Sequence, residues 1–109
     1  MLEWNSTLIA RVLFTWQSVA LSFDREIETV ERHRDLITPE KADEIIRKDE
    51  AEKTAILPYL KNAERLCELT ANAEEPSEAD MDLFREGMDF LKREYPGHCA
   101  IMKFPEWKE

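Results

Sequence analysis

The chain has 109 residues, with 24 acidic against 15 basic side chains and a formal net charge of -9 at pH 7. That length holds one modest core and argues against a multidomain layout, while the acidic balance disfavours direct contact with nucleic acid or with an anionic membrane. Hydrophobic residues at 43%, charged residues at 36% and only two glycines describe a folded, helix-rich chain and exclude a low-complexity one.

No glycine or proline occurs from Met1 to Ile37, and Leu8, Ile9, Val12, Leu13, Trp16, Val19, Ala20, Phe23, Ile27 and Val30 recur at three- and four-residue steps. This spacing predicts a long amphipathic helix over residues 1–35. Its richest part, LIARVLFTWQSVALSF, is interrupted by Arg11, Thr15, Gln17 and Ser18. It is shorter than the roughly 20 apolar residues of a membrane-spanning helix. No small-residue cleavage site follows it, so it reads as a buried helix of a water-soluble fold with no membrane contact. Ala10, Phe14 and Leu21 form a second apolar line, with Trp4 ahead of it. A helix apolar nearly all round needs more cover than one shell of neighbours provides, which points to self-association or a bound partner.

Thr38, Pro39 and Glu40 carry the chemistry of a helix start: a hydroxyl cap, a proline at the first helical position and an acid near the positive helix end. They predict a second helix over 39–72. The link to helix one is then only about four residues, which makes the two helices antiparallel neighbours. Turning near residue 36 or 37, they bring together positions whose numbers sum to about 73. The stretch RKDEAEKTAILPYL at 47–60 interrupts the apolar stripe, because between Arg47 and Thr54 only Ala51 is apolar. Glu28 to Arg32, Asp43 to Arg47, Glu44 to Lys48 and Asp49 to Lys53 are acid-before-base pairs at four-residue spacing. Each such pair supports a helix by about 0.2–0.5 kcal/mol, which predicts a charged hairpin over roughly 24–53. Pro58 predicts a kink, or a restart capped by Thr54.

Ser77, Glu78 and Asp80 resemble another helix start, and Met81, Phe84, Met88 and Leu91 share one face of a third helix over 78–94. Tyr95, Pro96 and Gly97 end it. Residues 95–109 lack a period but contain Ile101, Met102, Phe104 and Trp107, which predicts an ordered tail packed over Phe23 and Val19. The expected fold is therefore all-α: an antiparallel bundle of two long helices, a shorter third helix and an ordered C-terminal tail.

Little in the chain suggests catalysis. His33 lies among charges, and Cys67, His98 and Cys99 have no recognised metal-ligand spacing. The acidic pairs Glu64 with Glu68 and Asp82 with Glu86 lack the Glu-x-x-His units of carboxylate-bridged metal sites. No phosphate loop or nucleophile elbow is present. The expectation is a non-enzyme without cofactor or metal. The two widely spaced thiols favour a reducing, cytoplasmic setting, with a Cys67–Cys99 bond left open.

Two surfaces remain as binding candidates. Trp4, Phe14, Leu21 and Phe23 suit self-association, as a homodimer, or an apolar partner surface. Glu75, Glu78, Asp82, Glu86 and Asp89 form an acidic row suited to a basic partner. The favoured reading is a small acidic helical protein that occludes or scaffolds a protein partner. Alternatives are an inhibitor that mimics nucleic acid, of the kind used by phage against host defence, and a structural subunit of a larger assembly.

Overall fold

The computed structural model describes residues 6–102, with side chains through residue 99. Trp4, Phe104 and Trp107 lie outside the described residues, as do the side chains of Ile101 and Met102. Among the described residues the chain is all helical: α1 (Ser6–Arg32), one turn of 3-10 helix (Arg34–Leu36), α2 (Pro39–Ala71), α3 (Glu78–Glu94) and α4 (Pro96–Met102). Their assembly is a rod of 53 × 23 × 19 Å.

Local chemistry accounts for each boundary. Helix one does not run to residue 35: α1 stops at Arg32, and the tighter 3-10 turn carries the chain round. Thr38 caps α2 by accepting from the Lys41 N–H at 3.3 Å, with Pro39 at the first position, where its missing donor costs nothing. Contacts of α1 and the 3-10 turn with α2 pair residue 16 with 59, 24 with 53, 26 with 49 and 34 with 43. Partner numbers fall as residue numbers rise, the order of helices running in opposite directions. The pairs sum to 75 or 77 rather than about 73, because the 3-10 turn moves the reversal towards Thr38.

Pro58 lies inside α2, which is helical on both sides of it. The expectation of a restart capped by Thr54 is corrected, since the Thr54 hydroxyl donates back to the Glu50 carbonyl at 2.9 Å, as within a helix. Both Thr54 and Pro58 are exposed, so water can satisfy the carbonyl that proline leaves without a donor.

The end of α2 is closed by paired bonds: the Glu74 N–H donates to the Leu69 carbonyl at 2.8 Å and the Ala73 N–H to that of Thr70 at 3.1 Å. This closure needs a left-handed residue, and Ala73 takes that role at φ 54°. Ser77 caps α3 through the Asp80 N–H at 3.1 Å. Residues 96–102 form α4 despite their lack of period, because Pro96 ends α3 and also suits the first position of the next helix.

The core is built from the stripe of α1 (Leu8, Ile9, Val12, Trp16, Val19, Phe23), from Ile56, Ala63 and Leu66 of α2, and from Phe84, Met88 and Leu91 of α3. Fully burying one such large side chain stabilises the fold by about 1.5–3 kcal/mol. Trp16 is its aromatic centre, with Tyr59 stacked at 5.6 Å, Phe90 at 6.2 Å and Tyr95 edge-on at 6.4 Å. Gly87 lets α3 approach: a Cβ there would lie 3.1–3.3 Å from Tyr59 atoms. Tyr59 cannot yield easily between Trp16 and Phe90, whose ring is 5.4 Å away.

Two exchanges of glycine and alanine are therefore expected to act in opposite senses, read by urea denaturation. Ala73→Gly relieves a left-handed alanine and raises stability by about 0.5–1 kcal/mol. Gly87→Ala lowers it by about 1–3 kcal/mol, because overpacking against Tyr59 outweighs the gain in helix propensity.

Candidate functional site

Positions 14 and 21 are one heptad apart and share a side of α1, away from the stripe that faces the core. Phe14 is 54% exposed and Leu21 46% exposed, while Val12, Trp16 and Val19 are buried. The apolar line is thus a surface feature of a helix whose other side is fully used. Phe23 is not part of it. At 9% exposure it belongs to the core, with the Tyr95 ring edge-on at 6.1 Å, and this corrects the expectation that Phe23 is an open contact. Tyr95, between α3 and α4, is the observed cover over Phe23. The expected packing of Ile101, Met102, Phe104 or Trp107 there falls outside the described side chains. The short helix α4 is fastened to α1 through Ser18 Oγ and His98 Nδ1, 3.3 Å apart.

Glu75, Glu78, Asp82, Glu86 and Asp89 are all exposed. Asp82 is the most neutralised of them, with Arg85 Nη1 at 3.1 Å. Asp80, in the same region, turns inward instead. It accepts from Arg65 at 3.3 Å, and its carbonyl accepts from the Asn62 side chain at 3.1 Å, tying the first turn of α3 to α2. Burial pushes the Asp80 carboxyl up, but hydrogen bonds from Ser77 and Arg65 outweigh that effect and leave it below the ordinary carboxylate range.

The hairpin end is organised differently from the expected row of pairs along single helices. Glu28 and Arg32 do pair within α1 at 2.7 Å. Asp43, however, meets Arg34 at 3.1 Å, Lys53 reaches across to Asp24, and Asp49 is buried at 5% exposure. The same Arg34 grips Glu31 through two bonds of 2.8 and 2.9 Å and holds its carboxyl below the ordinary range. Charges thus join the helices as well as supporting each one. Helix geometry explains the difference: residues 49 and 53 lie on the side of α2 that meets α1, where a partner across the seam competes with one along the helix. Leu36 and Ile37, at the tip, are 75% and 36% exposed.

The candidate chemical groups remain apart or occupied by packing. His33, Glu64 and Glu68 are exposed. Cys67 and Cys99 are free thiols, half-buried against the core, and burial pushes both up. Among the described residues, no group of three or more His, Cys, Asp or Glu side chains is arranged to hold a metal ion. No helix there is long and apolar enough to cross a membrane. The carboxyls of Glu26 and Asp49, which meet between α1 and α2, were missed by reading spacing along one helix. The cross-helix register was the available signal, since it sets residue 49 beside the middle of the 20s.

No protein family, curated protein or solved structure matches the chain.

The depressed Asp80 carboxyl gives a testable pH dependence. A carboxyl held low in the folded state contributes stability that is present at neutral pH and lost as pH falls through its folded value. Asp80→Asn is expected to lower the urea midpoint near pH 7, with the gap to wild type closing as pH falls to about 2.

Proposed function

We propose that the protein is a non-catalytic binding module that occludes or scaffolds a protein partner and works as a homodimer in the cytoplasm. The observation that carries this reading is the exposure of Phe14 and Leu21 on α1, the helix that also supplies the largest share of the core. Apolar side chains aligned on one exposed helix face form the kind of patch that an interface can cover, with the aromatic Phe14 as its anchor. With a net charge of -9 on each chain, the dimer held by these anchors would draw a partner bearing basic groups by long-range attraction.

The exposed row of Glu75, Glu78, Asp82, Glu86 and Asp89 favours a second reading, in which the protein mimics nucleic acid and blocks a DNA- or RNA-binding protein. The ion pair between Asp82 and Arg85 removes part of the charge that reading needs. A structural role within a larger assembly would use the same apolar line as the first reading.

The test is light scattering together with affinity capture, using wild type and the double variant Phe14→Glu, Leu21→Glu. Wild type is expected at twice the chain mass, and the variant at the monomer mass with unchanged helical circular dichroism. The variant is also expected to lose the captured protein partner. A wild-type monomer defeats the homodimer, and capture of the same partner by both proteins defeats the apolar surface. Capture that instead collapses on moderate salt and on charge reversal at Asp82, Glu86 and Asp89 favours the mimic.

A further inference from the structure

Asp49 is 5% exposed, and its Oδ2 has no hydrogen-bond partner among the described residues. An ionised carboxylate withdrawn from water with an unmet oxygen is strongly disfavoured. The register that stacks Trp16 on Tyr59 sets Glu26 of α1 opposite Asp49, and there the Glu26 carboxyl, itself exposed to water on its outer side, meets that of Asp49. Two ionised carboxylates only accept, so neither can satisfy the other. One proton between them turns repulsion into a short, charge-assisted O–H···O bond and gives the buried oxygen its donor.

The surrounding groups do not remove this need. Lys53 of α2 is engaged by Asp24 of α1. Lys48 faces Glu26 from α2 and favours its ionised form, but Glu52, also on α2, opposes that form. Tyr95, from the junction of α3 and α4, feels the Glu52 charge too, so it borders the same acidic layer. The hydrogen bond with Asp49, then burial, then the charges of Asp49 and Glu52 push the Glu26 carboxyl up from its ordinary value.

We infer that Glu26 and Asp49 hold a single proton between them across the seam of α1 and α2, so that this proton fastens the charged half of the hairpin in acid and its release as pH rises loosens it. The proton comes from solvent and returns to it; no bond other than O–H is made or broken. Stability from this pair is fully present below the ordinary range of a free carboxyl and is lost as pH rises through the folded value of Glu26. This is opposite in sign to the contribution of Asp80, so the net curve of the wild type mixes the two and the variants separate them.

The experiment follows thermal melting of wild type, Glu26→Gln and Asp49→Asn from about pH 4 to about pH 8, with carbon-detected NMR titration of Glu26 in wild type and in Asp49→Asn. Glutamine donates to Asp49 without a titrating proton. Glu26→Gln is therefore expected to melt several degrees above wild type at the neutral end, with the difference shrinking in acid. In wild type the Glu26 carboxyl is expected to titrate above the ordinary range and to move back towards it in Asp49→Asn. Parallel melting curves for wild type and Glu26→Gln overturn the inference. So does a Glu26 titration that Asp49→Asn leaves unmoved, a measurement on the folded wild type that does not depend on how well the glutamine variant folds.

Discussion

The indole of Trp16 is almost wholly withdrawn from water, at 1% exposure, by rings from three other segments: Tyr59 of α2, Phe90 of α3 and Tyr95 beyond the end of α3. Its shell draws on α1, α2, α3 and the residue that precedes α4, so these segments are held in register with one another around it. The approach of α3 that Gly87 permits brings Phe90 onto Tyr59. The break at Pro96 turns the chain so that Tyr95 reaches Trp16 and Phe23 together, and α4 then lies along α1. Each piece has its place because the same ring cluster needs it.

Past the reach of these rings the two long helices change their means of cohesion. At the level of Trp16, large apolar side chains join them; towards the tip the apolar seam thins to buried Ala42 and half-buried Ile27, Val30, Ile45 and Ile46, and Asp24 with Lys53 and Arg34 with Asp43 supplement it. Exposed ion pairs contribute about 0–1 kcal/mol each, much less than an enclosed aromatic. The tip is accordingly the weaker half, and electrostatic conditions bear on it more than on the core. Asp49 sits at the change of regime: buried like a core residue, polar like a tip residue, with another acid opposite. Such a position makes the seam responsive to protonation in a way that neither half is alone.

This division also separates the surfaces available for binding. Phe14 and Leu21 stand on the firm half, where α1 is held from its other side by the core. An anchor on a rigid helix loses little conformational freedom on binding. The acidic row of α3 is fastened at its first turn through Asp80, Asn62 and Arg65, while its exposed carboxylates remain in water.

Helix starts at Thr38 and Ser77, the stripe from Leu8 to Phe23 and the absence of helix breakers before Ile37 are local facts, so the all-helical character was legible in the sequence. Caps and periodicity depend on residues within a turn or two, and no distant partner is needed to read them. Which acid meets which base was not legible in the same way. Asp49 and Lys53 are spaced for each other along one helix, yet Lys53 reaches Asp24 and Asp49 meets Glu26, because a partner across a packed seam lies as close as one a turn away. Likewise periodicity puts Phe23 on the core stripe and Phe14 off it, but only the tertiary structure shows that Tyr95 supplies the cover over Phe23. The sequence by itself determined the three longer helices, though not α4 in its aperiodic tail; the tertiary structure decided burial, cross-helix pairing and the carboxyl pair, because these depend on residues brought together from distant parts of the chain.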